Sequence, residues 1–237
     1  MSSTAALPAG HHIIVHPDLQ EPVTPQWFMP EHWQQLNAVH GSATGRGAAL
    51  FIQYNGIEMV LRHYRRGGLI GKLIHVHYLY TGLPGTRAWQ EFTLLMYMRK
   101  HGLAVPEPIA AQVIRHGLTY RADLITRRIE DAKDVFTLLL DTTLSERNWQ
   151  DIGNTIRAMH DLQVYHHDLN IHNIMCDKHN KVWLIDFDKC AIRSGHAWKQ
   201  KNLDRLLRSL RKEQGKHSAF QFSEQDWQQL LVGYQRT

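Results

Sequence analysis

The chain has 237 residues, of which 43% are hydrophobic, with a formal net charge of +5 and a pI of about 9.2. That is enough apolar material for one domain or two lobes, while no stretch approaches the ~18 apolar residues of a membrane span. Two cysteines, Cys176 and Cys190, are too few for a disulfide framework and sit in apolar, strand-like surroundings, so both are expected to be buried thiols.

In chain order, residues 1–35 carry Pro17, Pro22, Pro25 and Pro30 and predict an irregular extension, since proline disfavours regular ladders. The start has no basic n-region or apolar core of signal-peptide length, and a cytosolic protein is expected. A glycine-rich loop, "GSATGRGAA", follows with Gly45 and Gly47. "ALFIQYNGIEMVLRHY" then predicts two strands around Asn55-Gly56, the pair that best tolerates a tight hairpin turn. "TRAWQEFTLLMYMRKHG" predicts a helix, capped by Thr86 and stopped at Gly102. Glu91 falls on its apolar face with Ala88 and Leu95, a costly place for an acid unless a cation meets it.

"PIAAQVIRHGLTYRADLIT" predicts a second hairpin, and "DVFTLLLD" a helix. "TLSERNWQDIGNTIRAMHDL" predicts another, with a Thr143–Glu146 capping box and a core stripe of Trp149, Ile152, Ile156 and Met159. Next, "NIMC" and "VWLIDF" predict a hairpin around the polar turn "DKHN". Finally "NLDRLLRSLRK" predicts an amphipathic basic helix, which either packs its leucines into the protein or lies on an anionic surface. Basic residues concentrate here: residues 193–216 hold eight Lys and Arg against Asp204 and Glu213. Residues 59–82 hold Arg62, Arg65, Arg66 and Lys72 and no acid, so phosphates, anionic lipid or nucleic acid are candidate partners.

The densest chemistry lies in "VYHHDLNIHNIMCDKHNKVWLIDFDKC" (residues 164–190). A solvated turn, a transition-metal site and a phosphoryl-transfer site all compete to explain it. The hairpin brings Asp168, Asn173 and Asp186 to one end, with Asp186 emerging from a buried strand. The spacings of His166, His167 and His172 match no zinc pattern. Phosphoryl transfer needs hard oxygen ligands for magnesium and a carboxylate facing the attacking hydroxyl, and this set offers both.

His166-His167-Asp168-Leu169 followed three residues later by Asn173, then Asp186-Phe187-Asp188, resembles the catalytic loop and Asp-Phe-Gly motif of protein kinases. The resemblance implies an α+β, two-lobed protein-kinase-like fold. It assigns residues 36–128 to a small β-rich N-lobe and 129–237 to a reduced helical C-lobe, with ATP and Mg2+ as cosubstrate and metal. It also implies Asp168 as the catalytic residue, and Asn173, Asp186 and the more ambiguous Asp188 as metal ligands. Gly45, Gly47, Arg62, Glu91 and Lys72 are the nucleotide-binding candidates. Arg62 occupies the usual lysine position and Lys72 competes with it, while Leu50 stands where a third loop glycine is expected.

Only 49 residues follow Asp188, there is no Ala-Pro-Glu motif, and His167 replaces the usual arginine, so the expected acceptor is not a protein. "LRHYRRGGLIGKL", "RAWQEF", "HHDLNIHNIM", "LIDFDKC" and "NLDRLLRSL" resemble the Kdo (3-deoxy-D-manno-octulosonic acid) kinases, compact members of the lipopolysaccharide kinase group. That implies phosphorylation of the 4-hydroxyl of Kdo on a Kdo–lipid A precursor, peripheral attachment to the cytoplasmic face of the bacterial inner membrane, and no nucleic-acid partner. A heptose or aminoglycoside phosphotransferase of the same fold, or a non-catalytic lipid- or nucleic-acid-binding module, are the alternatives.

Overall fold

A computed structural model describes residues 7–43, 49–64 and 78–235. It divides into two compact units: residues 1–93 with 107–128, and residues 94–106 with 129–237.

The first unit is built on an antiparallel sheet. Its strands are β1 (His11–Val15), β2 (Val39–Ala43), β3 (Ala49–Tyr54), β4 (Ile57–His63), β5 (Tyr78–Leu79), β6 (Pro108–His116) and β7 (Thr119–Arg127). They are ordered β1-β6-β7-β4-β3-β2, with β5 also on β7. The expected β3–β4 hairpin closes on Asn55 and Gly56, both at positive φ (49° and 75°), the geometry of a type I′ turn. The β6–β7 hairpin turns at Gly117, φ 59°.

Residues 11–35 are not an irregular arm. β1 pairs with β6, a 310 turn forms at Pro25–Phe28, and α1 spans Pro30–Gln35. Two of the prolines that suggested an irregular extension instead begin these helices, where a missing N–H costs nothing. Trp27, Phe28 and Trp33 are buried against Ile52, Met59, Leu61 and Ile125. The Trp33 indole donates to the Trp27 carbonyl at 2.7 Å. The segment therefore supplies one side of the sheet's core.

The helix α2 (Arg87–Lys100) begins after Thr86, whose hydroxyl donates back to the Leu83 carbonyl. It ends at Gly102, φ 80°. The Leu103 N–H bonds to the Met98 carbonyl and the Gly102 N–H to that of Arg99, a Schellman closure.

In the second unit, α3 (Val135–Asp141), α4 (Glu146–Asp161), α5 (Ala197–Gln214) and α6 (Glu224–Gln235) surround short strands. These are β8 (Ala132–Asp134), β9 (Val164–Tyr165), β10 (Ile174–Asp177), β11 (Val182–Leu184) and β12 (Ala191–Ile192). Three form the sheet β11-β10-β8, and β9 pairs with β12. The stripe Trp149, Ile152, Ile156 and Met159 on α4 is buried as its spacing predicts. The capping box, however, is Ser145–Asn148 rather than Thr143–Glu146, so the helix starts two residues later.

The sequence reading assigned no helix to the last segment, yet α6 packs closely on α4. Its signals were present. Ser223 and Asp226 bond reciprocally across the N-terminus, and Trp227, Leu230 and Tyr234 recur at helical spacing.

On α5, Leu203, Leu206 and Leu210 are buried, so the apolar face of the basic helix belongs to the interior of this unit. Among the described residues no helix is long and apolar enough to cross a membrane.

Candidate active site

In the first unit, Arg62 on β4 meets Glu91 on α2 in an ion pair. Glu91 is 3% exposed, and its second oxygen accepts from the Tyr64 hydroxyl at 2.5 Å. The acid on the apolar face of α2 is thus satisfied by a cation and a phenol. Burial first, and then the Glu91 charge, push the Tyr64 hydroxyl well above its usual range, so it stays a donor. The guanidiniums of Arg62 and Arg87 also lie over the Tyr64 ring, at 5.7 and 5.3 Å. The pair orients Arg62 on a strand shared with β3 and β7. Gly45, Gly47 and Lys72 lie outside the described residues.

In the second unit the histidine-rich stretch is stitched to the Asp186 loop. β9, just before His166, pairs with β12, just after Cys190. The His166 ring is fully buried. Its Nδ1 accepts from the Asp168 N–H at 3.2 Å, and its Nε2 donates to the Ile185 carbonyl at 3.1 Å. Burial lowers the imidazole's affinity for a proton, which suits this neutral, one-donor role. The same ring packs on Phe187, centroids 4.9 Å apart. The His167 N–H donates to Cys190 Sγ, and both cysteines are buried; burial pushes the Cys176 thiol up to about 11.

The carboxylates and the amide converge through the backbone. The Asn173 side-chain N–H donates to the Asp168 carbonyl at 2.9 Å, and the Asn173 carbonyl accepts from the Ile185 N–H at 3.0 Å. Asp168, Asn173 and the residue before Asp186 are therefore tied into one cluster. Asn173 spends one of its two side-chain N–H donors on that tie, and among the described residues its Oδ1 accepts no hydrogen bond. Asp186 has φ +62°, a left-handed conformation uncommon outside glycine that aspartate tolerates better than most residues. Asp188 is half-buried on the same loop, and its carbonyl accepts from Cys190 Sγ at 3.7 Å.

An amide oxygen and carboxylates are hard oxygen donors, and their chemistry fits magnesium, which fills its shell with water and phosphate oxygens. Among the described residues no group of three or more His, Cys, Asp or Glu is arranged to hold a metal ion. The histidines are committed elsewhere: His166 to the backbone, His172 against the Phe136 ring at 4.4 Å.

One face of α5 carries groups that sequence reasoning missed. Asn202, fully inside, accepts from the His166 N–H at 3.2 Å and donates to the His166 carbonyl at 2.9 Å. Ser209, two turns on, accepts from the Ile171 N–H at 3.3 Å. Between them Arg205 clamps the Asp168 carboxylate through both Nε and Nη2. Partial burial alone would raise the Asp168 carboxyl. The Arg205 bonds and charge outweigh it and hold the group below the usual carboxylate range. Spacing of seven residues on a helix was the only signal, and it was hidden by reading α5 for its leucines and charges alone.

Asn202 also reaches His160 on α4, 3.3 Å from Nε2, while the Tyr234 hydroxyl lies 2.8 Å from Nδ1. Burial lowers the His160 pKa to about 4. The unfolded chain takes up this proton near 6.5 and the folded one only near 4, so stability is complete above 6.5 and drains away as pH falls toward 4. A loss of about 2 kcal/mol between pH 7 and pH 5 is expected from this residue. Urea unfolding at both pH values measures it, and His160→Gln should flatten the slope by that amount.

The first unit carries an ion-paired arginine, and the second ties amide and carboxylate oxygens to the Asp168 loop; a phosphotransferase of the kinase class uses groups of these types. The chain belongs to the lipopolysaccharide kinase (Kdo/WaaP) family, whose model matches residues 30–234. It is 52% identical over 208 residues to a 3-deoxy-D-manno-octulosonic acid kinase of Photobacterium profundum, covering 88% of each chain. A protein of the same name from Vibrio cholerae is 52% identical with 78% of each chain covered. The one from Mannheimia succiniciproducens is 46% identical, with 95% of this chain and 97% of the relative covered. Among solved structures, the Cydia pomonella granulovirus kinase PK-1 superposes with a TM-score of 0.46 at 15% identity, over 71% of this chain and 58% of that one. The α+β, kinase-like reading and the phosphotransferase class stand on the elements above and the family match.

Proposed function

We propose that this enzyme transfers the terminal phosphoryl group of ATP to the 4-hydroxyl of a Kdo sugar on a Kdo–lipid A precursor. The observation that carries the reaction class is the convergence of Asp168, Asn173 and the Asp186 loop through the Asn173 backbone and side chain. The acceptor rests on the relatives named as kinases of this acid sugar.

Asp168 orients the acceptor hydroxyl and takes its proton as the new P–O bond forms. Its backbone, pinned by His166 and Asn173, keeps the carboxylate at a fixed point while the side chain meets the substrate. Asn173 and Asp186 would hold magnesium, with Asp188 as a further oxygen donor. The metal, when bound, neutralises charge on the phosphate oxygens. Arg62, steadied by Glu91 and Tyr64, offers its guanidinium to the nucleotide phosphates, with Gly45, Gly47 and Lys72 as further nucleotide contacts. A peripheral position on the inner membrane's cytoplasmic face follows from an acceptor whose acyl chains are anchored there. The exposed basic side of α5 fits such a surface.

Transfer of label from γ-labelled ATP, with and without magnesium, to Kdo–lipid A precursor and to heptose- and aminoglycoside-containing acceptors tests this. Magnesium-dependent label in the Kdo lipid is expected. Label only in another acceptor would overturn the sugar assignment and keep the reaction.

A further inference from the structure

The ion pair between Arg205 and Asp168 is hard to account for as a stabilising contact. The two side chains are 46% and 45% exposed, and a pair that open to water contributes little to folding. The loop does not need it either, because Asn202 and Ser209 on the same helix face already hold the backbone at His166 and Ile171. Nor is its geometry the best an arginine can make. Nε and Nη2 both converge on Oδ1 of Asp168, whereas the guanidinium fork matches a carboxylate when each donor takes its own oxygen. The contact also covers an oxygen that a base facing a hydroxyl has use for. An exposed arginine, carried on a rigid helix and resting imperfectly on the candidate base, is a cation with spare capacity for an anion at that same place.

Resting on the function proposed above, we infer that Arg205 is the residue that recognises the carboxylate of the acceptor sugar. An onic acid carries that carboxylate on the same small molecule as the hydroxyl to be phosphorylated. When the acceptor binds, Arg205 turns from Asp168 Oδ1 to the incoming carboxylate, which takes both donors as a fork, and Asp168 is released to the hydroxyl. Recognition and exposure of the base are one event. A sugar without a carboxylate leaves Arg205 on Asp168 and is a poor acceptor for that reason, which gives the site its preference for acidic sugars.

The test compares a Kdo–lipid acceptor with its carboxamide analogue, using wild type, Arg205→Gln and Arg205→Lys. Wild type should prefer the acid by about ten-fold or more in kcat/KM, through both KM and kcat, because the carboxamide loses a directed contact and leaves the base covered. Arg205→Gln should lose most of the rate with the acid and treat both acceptors alike, within about two-fold, with Arg205→Lys between. Thermal shift by the acid acceptor without nucleotide should be present in wild type and lost in Arg205→Gln. Unchanged preference for the acid in both variants would overturn the inference while leaving the function intact. If wild type labels neither Kdo acceptor, the proposed function fails, and this inference with it.

Discussion

Asp168→Ala is expected to slow phosphoryl transfer by about 10^2- to 10^4-fold, the range typical of losing a general base, while magnesium-dependent ATP binding persists in a thermal-shift assay. The substitution is clean for a structural reason. What anchors the loop is the Asp168 backbone, through its N–H to His166 and its carbonyl to Asn170 and Asn173, and alanine keeps all of these. What is lost is a carboxylate that meets the half-exposed Arg205 and the Asn170 side chain at the protein surface, so stability should change by less than about 1 kcal/mol. Turnover within a few-fold of wild type would remove Asp168 from the chemistry. Loss of both turnover and fold would show that the Arg205 pair holds the loop after all.

The largest effect on stability is expected outside the Asp168 cluster, at Gly153 and Gly233. A Cβ at Gly153 would run into the Leu230 carbonyl and the Tyr234 N–H, and one at Gly233 into the Gln150 carbonyl. All of these are helix backbone, so nothing can rotate out of the way. Alanine gains about 1 kcal/mol of helix propensity over glycine at such a position. Against that, α4 and α6 must separate, opening the packing of Trp149, Ile152 and Leu230 and the 2.7 Å bond between Gln150 and Gln229. The net expectation is a loss of about 3 kcal/mol or more for either substitution, read as a shift in the urea midpoint or as failure to accumulate soluble protein. Gly215→Ala is the control. Gly215 has φ −70°, and its Cβ would meet nothing nearer than 3.5 Å, so that variant should stay near wild type.

Local chemistry made much of the molecule legible. Asn55-Gly56 specifies its hairpin because only those residues accept two positive φ angles cheaply, and the pairing follows from chain proximity. The α4 stripe declares its buried side through periodicity alone. Glu91 was conspicuous because an acid on an apolar face demands a cation, and Arg62 meets it. The N-terminal segment misled because proline density marks the absence of long ladders, and short pieces beginning at proline still bury tryptophans once a sheet is there to receive them.

Residue type and order pointed to the reaction class through the resemblance of the Asp168–Asn173 stretch and Asp186-Phe187-Asp188 to kinase motifs. They also determined the hairpin that gathers them, which is a local structure. Only tertiary structure decided the job of α5. Its sequence is a basic amphipathic helix, equally suited to a lipid surface or a protein interior, and no local rule distinguishes the two. In the fold its leucines face the core, and Asn202, Arg205 and Ser209 come to lie along the loop that carries Asp168. Those partners are more than 35 residues away in sequence, and a hydrogen bond between such distant groups is set by packing that no short pattern encodes.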